Sequence, residues 1–349
     1  MHILTDFIGA NATIEYNGDN VVVIPDMRDS ACNWFYWAFC VTDAAGKTVT
    51  FEFQDETKIG RYGAAVSTDF VNWHWSMNAD DTSFTYTFGE DENKVWFAHH
   101  SLYSTEYFER FAKSENLIIK ELCTSQKGRK IPYTEFGNGK KTVVLTARHH
   151  CCESSGSYVL EGVISRLKEN LPKDLSVIVV PYMDFDGCFD GDQGKNRQPH
   201  DHNRDYTENS IYNEVKAIKA ITEGKDVVYA FDFHSPYYQG GRRDYPYIVH
   251  PRDDYKIDEF GKIFEEKSAS LPVGYFQEND VHYGQEWNRK SDTVEKFSDY
   301  FGEFSGNKLA FTLETPYFGP PEHKISTDDL RNIGRAFADA FTEFHKKTS

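Results

Sequence analysis

The chain has 349 residues, of which 39% are hydrophobic and 27% charged, and this composition indicates a folded globular protein. No segment approaches the ~18 consecutive apolar residues of a membrane-spanning helix, so a membrane partner is not expected. The net charge of −17 disfavours nucleic acid as a partner, because an acidic surface repels the phosphate backbone.

The amino-terminal residues and the cysteines bear on cellular location. The first twenty residues lack a basic segment followed by a long apolar one, so we expect no secretory signal and a cytoplasmic protein. The six cysteines are scattered without a C-x-x-C pair. This spacing predicts free thiols rather than a zinc ribbon or a disulfide framework.

Short segments rich in aromatic and β-branched residues fill the first hundred positions, and Gly, Asp and Asn clusters separate them. Several alternate with a period close to two, which is typical of half-buried strands. These segments are residues 34–41, 49–53, 84–88 and 94–98. The pattern predicts a small all-β sandwich domain over residues 1–103, with Trp34, Trp37 and Trp96 in its core. His99 and His100 follow the last of these strands and are expected to be packing or surface residues.

The pattern changes after residue 103, where Ser104 is a candidate cap for a short helix. Apolar strand-like segments then alternate with amphipathic helical ones. The predicted strands are 142–148, 176–184, 227–234 and 309–317, and the predicted helices are 155–169, 208–222 and 327–345. This alternation predicts an α/β domain over residues 104–349, with a mixed, mostly parallel sheet covered by helices.

Three of the predicted strands end in side chains that suit metal binding or catalysis. His150 and Glu153 follow the first strand, Asp232 and His234 end the second, and Glu314 lies on the third. Ligands of open α/β sheets gather at the carboxyl ends of the strands, so these residues are expected to converge.

The spacing of His150 and Glu153 is H-x-x-E, and with His234 it makes a set of two imidazoles and one carboxylate. Such a set binds zinc and leaves a fourth position for water. The H-x-x-E pattern alone is weak evidence, since a helix-capping Glu beside surface histidines gives the same letters. His149 is an alternative ligand at H-x-x-x-E spacing.

The segment 190–206 is long, polar and rich in Gly, Asn and Arg, and it follows a strand. Arg197 and Arg204 lie seven residues apart, and Asn203 precedes the second arginine. Guanidinium groups bind carboxylates through two parallel hydrogen bonds, so this loop suits a substrate with a free carboxylate. A solvated loop with surface charges is the competing interpretation.

Four short motifs occur in an order that resembles the zinc carboxypeptidase family: HCCE, DHNR, DFHS and TLET, beginning at residues 150, 201, 232 and 312. The chain most resembles the cytosolic carboxypeptidase branch and its bacterial members, which carry an aromatic-rich β-sandwich before the catalytic domain. The resemblance covers nearly the whole chain, and the four motifs are specific together rather than singly.

The resemblance implies a zinc-dependent carboxypeptidase that binds one Zn²⁺ per chain and removes residues from peptide or protein C-termini. It also implies the site residues: His150, Glu153 and His234 as metal ligands, Asp201 as the carboxylate that orients a metal-binding imidazole, Asn203 and Arg204 for the substrate carboxylate, Glu314 as general base, and Arg197 for the scissile carbonyl.

The sequence departs from the family at several positions. The branch has H-P-G-E where this chain has HCCE, so Cys151 and Cys152 are a packed pair, a redox pair or alternative ligands. The spacing of Arg197 also differs, which makes Lys195 a rival for the carbonyl. Tyr283 and Tyr317 are candidates to cover the substrate. Arg242 and Arg243 are either surface residues or part of a pocket for an acidic side chain.

Two other functions remain open at this stage. The same zinc core supports an N-acyl amino acid deacylase or a cell-wall peptide amidase, since an N-acyl amino acid also presents a carboxylate. An inactive binding module would be marked by loss of Glu314 or of a zinc ligand, and all four residues are present. The sequence contains no HExxH, G-x-S-x-G, GxGxxG or P-loop motif.

Overall fold

The computed structural model describes residues 1–289 and 295–349. Within these ranges the strands are β1 His2–Leu4, β2 Thr13–Asn17, β3 Asn20–Ile24, β4 Ala38–Thr42, β5 Thr48–Glu52, β6 Ala65–Ser67, β7 His74–Trp75, β8 Ser83–Thr87, β9 Lys94–Ala98, β10 Ile119–Thr124, β11 Lys130–Gly137, β12 Lys141–Ala147, β13 Leu175–Val180, β14 Asp226–His234, β15 Tyr247–Val249 and β16 Leu309–Glu314.

The helices of the described residues are α1 Tyr107–Ser114, α2 Ser155–Asn170, α3 Phe185–Asp190, α4 Asn213–Thr222, α5 Tyr255–Ser268, α6 Phe297–Gly302 and α7 Thr327–Thr348. In the part of the chain that the structure describes, no helix combines the length and apolar character needed to cross a bilayer.

The first nine strands form two sheets, ordered β1-β4-β9-β6-β7 and β2-β3-β5-β8. Their inner faces share an aromatic core, in which the ring of Phe51 lies 5.1 Å from that of Phe39 and 5.2 Å from that of Phe97. Every second residue of β5 and β9 points into this core because side chains alternate across a strand. The predicted β-sandwich is confirmed, while the domain boundary at residue 103 stays a prediction.

The remaining strands form one sheet in the order β10-β11-β13-β12-β14-β16-β15. The four central strands, β13, β12, β14 and β16, are parallel, and the strands toward both edges pair antiparallel. Val143 and Leu145 of β12 pack on the side of α2, α5 and α7, whereas Val144 packs on the side of α4 and α6. The predicted α/β domain with helices on both faces is therefore confirmed.

Two predicted element starts are wrong, and local hydrogen bonds explain both. Helix α1 begins at Tyr107, and the Ser104 hydroxyl makes no capping bond. The helix predicted over 208–222 begins only at Asn213, because the Asp205 carboxylate binds the backbone N–H groups of Ile211 and Tyr212 and holds that segment in a turn. Strands β10 and β11 and helix α5 were not predicted from the sequence.

Candidate metal centre and substrate pocket

The carboxyl ends of β12, β14 and β16 lie side by side, and the candidate residues gather there. Parallel pairing places Ala147 of β12 opposite Phe233 and places His234 opposite Glu314. After β12 the chain turns sharply through Arg148, whose φ of 64° is left-handed, and the Glu153 N–H donates to the His150 carbonyl. This turn directs both His150 and Glu153 toward the end of β14.

Helix α2 must approach β14 closely for Glu153 to reach His234. Gly156, in the first turn of α2, makes this approach possible. A Cβ atom added at this position would lie 2.6 Å from the Phe233 carbonyl oxygen, which is backbone and has no room to move. The glycine therefore sets the depth at which Glu153 enters the site.

His150, Glu153 and His234 form a buried cluster of metal-type ligands. The Glu153 carboxylate lies between the two rings, 3.0 Å from His150 Nδ1 and 2.7 Å from His234 Nδ1, and the two Nδ1 atoms are 3.1 Å apart. Two donors on a tetrahedral zinc ion are separated by roughly 3.4 Å. The donor set of two imidazoles and one carboxylate, at nearly this spacing, fits a zinc ion.

Asp232 anchors the cluster from the same strand; the sequence placed it among the converging strand-end side chains but assigned it no specific role. Its carboxylate lies 2.5 Å from His234 Nε2 and 2.8 Å from His149 Nδ1. Because residues two apart on a strand share a face, the D-x-H spacing could have identified this contact. Asp232 fixes His234 with Nδ1 directed at Glu153, as buried carboxylates do for metal-binding imidazoles.

The alternative ligand His149 is committed elsewhere. Its Nδ1 contacts Asp232, and its Nε2 lies 2.8 Å from the Tyr206 hydroxyl. Both ring nitrogens are therefore used within the buried network, and the structure favours His150. Asp201, the predicted orienting carboxylate, lies 3.6 Å from His150 Nε2.

The charged groups of the cluster shift one another's pKa values in the direction that favours the charged forms. Burial lowers the pKa of His234, but Asp232 and Glu153 outweigh it and raise that pKa well above its usual value. Burial raises the pKa of Glu153, but His150, Lys195 and His234 outweigh it and hold the pKa of the carboxyl well below its usual range. The carboxylate is thus ionised, which is the state that binds a cation.

Glu314 faces this cluster from β16 and is 9% exposed. Its Oε2 atom has no hydrogen-bond partner among the described residues. Burial, followed by the neighbouring Glu153 carboxylate, raises the pKa of Glu314 to about 7. A buried carboxyl with a free oxygen and a pKa near neutrality is suited to accept and return a proton.

A cavity of about 340 Å³ opens beside Glu314 and is unusually cationic for a chain of net charge −17. Among the described residues, its lining includes Lys195, Arg204, Arg243 and Lys296, against one carboxylate, Glu314. The aromatic side chains Trp34, Tyr237, Tyr247 and Trp287 also line it. The cavity can therefore accept an anionic ligand with an apolar part.

Trp34 was predicted to lie in the sandwich core, and this prediction is wrong. The residue precedes β4, and its ring forms part of the cavity wall, where it stacks on Phe35 and meets Tyr237 edge-on. The β-sandwich region is held against the α/β region by Gln193, whose side chain accepts from the Tyr36 N–H and donates to the Tyr36 carbonyl. No pattern in the sequence indicated this contact.

The predicted role of Arg197 at the scissile carbonyl is corrected by its position. Its guanidinium is enclosed by three carboxylates, with Nε 2.9 Å from Asp29, Nη1 2.6 Å from Asp184 and Nη2 2.9 Å from Asp192. Arg197 is not among the described residues that line the cavity of Glu314. All of its nitrogens are occupied, so it holds the loop together.

Lys195, the rival residue, reaches the metal cluster. Its Nζ lies 3.1 Å from His150 Nδ1 and 3.4 Å from Glu153 Oε1. Gly194, with a φ of +76°, brings the loop so close that an added Cβ would lie 2.4 Å from the Cys151 nitrogen. Burial lowers the pKa of Lys195, but Glu153, Glu314 and Asp201 raise it overall, so the amine stays charged.

Asn203 and Arg204 both line the cavity, in the short 3₁₀ turn that Asp201 caps. Asn203 Oδ1 accepts from the Phe297 N–H at 3.2 Å. The Arg204 guanidinium donates to the Asn203 carbonyl at 3.1 Å. The structure thus brings these two residues together with His150, Glu153, His234 and Glu314.

The remaining sequence candidates divide between the cavity and its surroundings. Arg243 lines the cavity, whereas Arg242 pairs with Glu286 outside it. Tyr317 is buried against His100, with ring centroids 4.3 Å apart. Its ring therefore packs beneath the surface of the site and does not cover a substrate. Tyr283 is half-buried in the loop before Trp287, and its predicted role stays open.

The two cysteines of the HCCE motif are packed rather than exposed. Cys151 is 1% exposed and its thiol donates to the Asp192 carbonyl at 3.0 Å, while Cys152 is equally buried beside Trp34 and Tyr317. Burial raises the pKa of both thiols. Since the thiolate is the form that binds metal or attacks a disulfide, neither thiol is activated.

No protein-family model matches the chain. A metallo-carboxypeptidase from Burkholderia cenocepacia superposes with a TM-score of 0.81 over 100% of both chains, at 18% identity. A metallo-carboxypeptidase from Pseudomonas aeruginosa, solved with (2-guanidinoethylmercapto)succinic acid, superposes with a TM-score of 0.80 over 100% of both chains, at 19% identity.

The sequence itself is similar to cytosolic carboxypeptidase 2 of Xenopus tropicalis, at 26% identity over 181 residues. The matched part makes up 44% of this chain and 19% of that protein. The resemblance seen in the sequence motifs is thus found both in the curated relatives and in the solved structures. The chain has the metallo-carboxypeptidase fold, and its sequence resembles the cytosolic carboxypeptidases.

Proposed function

We propose that the protein is a zinc-dependent carboxypeptidase that removes residues from the C-termini of peptides in the cytoplasm. One observation carries the proposal: the buried His150–Glu153–His234 cluster and Glu314 face one cavity whose described lining is cationic, and Oε2 of Glu314 has no hydrogen-bond partner among the described residues. A peptide C-terminus brings a carboxylate and an adjacent amide bond, and this arrangement offers a partner for each.

His150, Glu153 and His234 would hold the zinc ion, with Asp232 and Asp201 fixing the two imidazoles. A zinc ion in such a site supplies Lewis acidity toward a water and a carbonyl oxygen. The structure supports zinc over a harder cation, because two of the three donors are imidazole nitrogens.

Glu314 would act as the general base. Its Oε2 accepts the proton that the attacking water loses and then gives it to the nitrogen of the leaving amine. Deprotonated Glu314 is needed for the first transfer and protonated Glu314 for the second, so a pKa of about 7 suits both directions.

Lys195 would take the position that the sequence analysis gave to Arg197. A charged amine 3.1 Å from His150 Nδ1 is close enough to stabilise negative charge that develops on the carbonyl oxygen. Asn203 and Arg204 would bind the terminal carboxylate of the substrate. A guanidinium fork is well matched to a carboxylate, and Lys296 adds a second positive charge to the same cavity.

The cationic lining also supports a preference for an acidic side chain at the removed residue. Once Arg204 binds the terminal carboxylate and Lys195 serves the carbonyl, Arg243 and Lys296 remain, and no carboxylate of the described lining residues forms an ion pair with either of them. A second carboxylate on the substrate would satisfy them. We therefore propose peptides ending in Glu or Asp as the preferred substrates.

The test is mass spectrometry of a mixed peptide pool incubated with the purified protein, with zinc and with a chelator. We expect loss of single C-terminal residues, fastest from peptides ending in Glu or Asp. Glu314→Gln should lower the rate by at least about 1,000-fold while zinc content is retained, because the base is lost and the ligands are not.

The control variant is Glu322→Gln, an exposed glutamate outside the cavity, which should leave the rate unchanged. Shortening that persists in the chelator or in Glu314→Gln would contradict the proposed mechanism. If zinc binds but no peptide is shortened, small N-acylated amino acids and cell-wall peptides are the next substrates to test.

A further inference from the structure

A second cluster of metal-type ligands lies outside the catalytic centre. His250, Asp258 and His282 each offer a ligand atom, and these atoms lie within 4.8 Å of one another. His250 follows β15, Asp258 lies in the first turn of α5, and His282 lies in the loop before Trp287. His250 is buried and the other two side chains are half-buried.

Backbone pairing places the two histidines side by side. Val249 of β15 and Val281 form a parallel bridge, in which the Val281 N–H donates to the Ile248 carbonyl and the His250 N–H donates to the Val281 carbonyl. In parallel pairing, residues at the same level point to the same face. The rings of His250 and His282 accordingly lie 4.4 Å apart between centroids.

A buried carboxylate holds one of the two rings. Asp280 Oδ2 lies 3.1 Å from His250 Nε2, and the Asp280 side chain is inaccessible to solvent. Asp280 is itself fixed by the Ile248 N–H at 2.8 Å and the Tyr275 hydroxyl at 2.7 Å. A carboxylate behind an imidazole keeps the proton on that nitrogen and leaves a lone pair on the other, as in metal sites generally.

The remaining ring nitrogens have no hydrogen-bond partner in the part of the chain that the structure describes. Within residues 1–289 and 295–349, no side chain or backbone group makes a hydrogen bond to Nδ1 of His250 or to either ring nitrogen of His282. Asp258, the third member, lies where α5 begins and supplies the negative charge. Two imidazoles and one carboxylate are again the donor set that zinc selects.

We propose that His250, Asp258 and His282 bind a second divalent metal ion of the zinc type. The ion would fasten the segment from Val281 to Asn288 onto β15 and α5. Asn288 Nδ2 already donates to the His250 carbonyl at 2.8 Å, and Trp287 and Asn288 line the substrate cavity together with Val249 and Pro251. The second ion therefore stabilises one wall of that cavity, and this inference does not depend on the proposed reaction.

The test is zinc content by inductively coupled plasma mass spectrometry, after the whole protein is stripped with chelator, reloaded with zinc and desalted. We expect two zinc equivalents in the wild type, one in His282→Ala and one in His150→Ala. The double variant should hold none. Asp258→Asn, which keeps the size of the side chain, should also fall to one.

The control is His74→Ala, since His74 is an exposed histidine of β7, which belongs to a different sheet from the strands that carry the two clusters, and it should keep two equivalents. Circular dichroism confirms that each variant is folded. A wild type with one equivalent that His150→Ala removes would overturn the second site. So would two equivalents that survive in both His282→Ala and Asp258→Asn. A content that His150→Ala does not change would instead count against the proposed catalytic centre.

Discussion

Two polar cavities flank the loop of residues 190–206, and they differ in how the charged side chains in them are paired. Counting only residues 1–289 and 295–349, the cavity at the metal centre has four cations against one carboxylate, and Glu314 Oε2 has no hydrogen-bond partner. A second cavity, of about 210 Å³, is lined by Asp184, Asp186, Asp192 and Glu214 around Arg197 and Lys127. The Arg197 guanidinium is shared by three carboxylates, those of Asp184 and Asp192 and that of Asp29 from outside the lining.

This difference in pairing distinguishes a cation that stabilises the fold from one that is available to a substrate. Arg197 has a carboxylate at each of its nitrogens, so nothing is left to bind a substrate. Lys195, two residues earlier, faces the other cavity, where its amine lies beside His150 and Glu153 of the metal cluster. An arginine is the usual residue for a carboxylate or an oxyanion, yet here pairing, rather than residue type, decides which cation is available.

The largest expected effect is that of Lys195→Met. If Lys195 stabilises the developing oxyanion, its loss lowers kcat by roughly 100- to 1,000-fold with a smaller change in KM, which corresponds to about 2.7–4 kcal/mol. Steady-state kinetics on a peptide ending in Glu measure both constants. Lys195→Arg should recover part of kcat, and zinc content should not change. A kcat within threefold of the wild type would remove Lys195 from the reaction.

Arg197→Met tests the other side of the comparison. We expect a loss of about 3 kcal/mol in the free energy of unfolding, because the variant leaves the buried Asp184 and its neighbours unpaired. Urea denaturation measures this loss, and kcat per folded molecule should stay near the wild-type value. Arg335→Met, at an exposed position of α7, is the matched control. An unchanged stability with a lost kcat would restore Arg197 to the catalytic role.

The smallest effect concerns Glu214, which is 2% exposed beside the second cavity. Burial raises the pKa of Glu214 from 4.5 to about 8. Between these values the folded state holds a proton that the unfolded state releases, so the contribution of Glu214 to stability is full below pH 4.5 and declines as pH rises to 8.

Glu214→Gln should therefore stabilise the protein by on the order of 2 kcal/mol at pH 8 and by little at pH 4.5. Urea denaturation at both pH values measures the difference. Glu208→Gln, at an exposed glutamate, serves as the control. A stabilisation that is the same at both pH values would show that the carboxyl is ionised in the folded state.

The metal cluster was predictable because its residues lie at the ends of regular strands. Parallel strands bring their carboxyl ends together, so His234 and Glu314 follow from the hydrophobic pattern alone, and the H-x-x-E spacing adds His150 and Glu153. The general α/β architecture and the β-sandwich followed from the same alternation. The contact of Asp232 with His234 was also predictable, because their spacing of two residues places both side chains on one face of the strand.

The loop residues were not predictable in the same way. Whether Lys195 or Arg197 meets the metal cluster depends on the backbone at Gly194 and on Asp29, which comes from a part of the chain more than 160 residues away. The aromatic wall at Trp34 likewise depends on how the two regions pack. Contacts across such distances leave no periodic signal in the sequence, and only the folded chain reveals them.

The contribution of residues 1–103 to the cavity has a consequence for protein engineering. Trp34 forms part of the wall, and Asp29 neutralises an arginine of the loop that carries Lys195, Asn203 and Arg204. The sandwich therefore cannot be exchanged between relatives without changing the cavity. Libraries aimed at a new substrate should diversify the segment around Trp34 together with Arg243, because both halves of the chain shape the same volume.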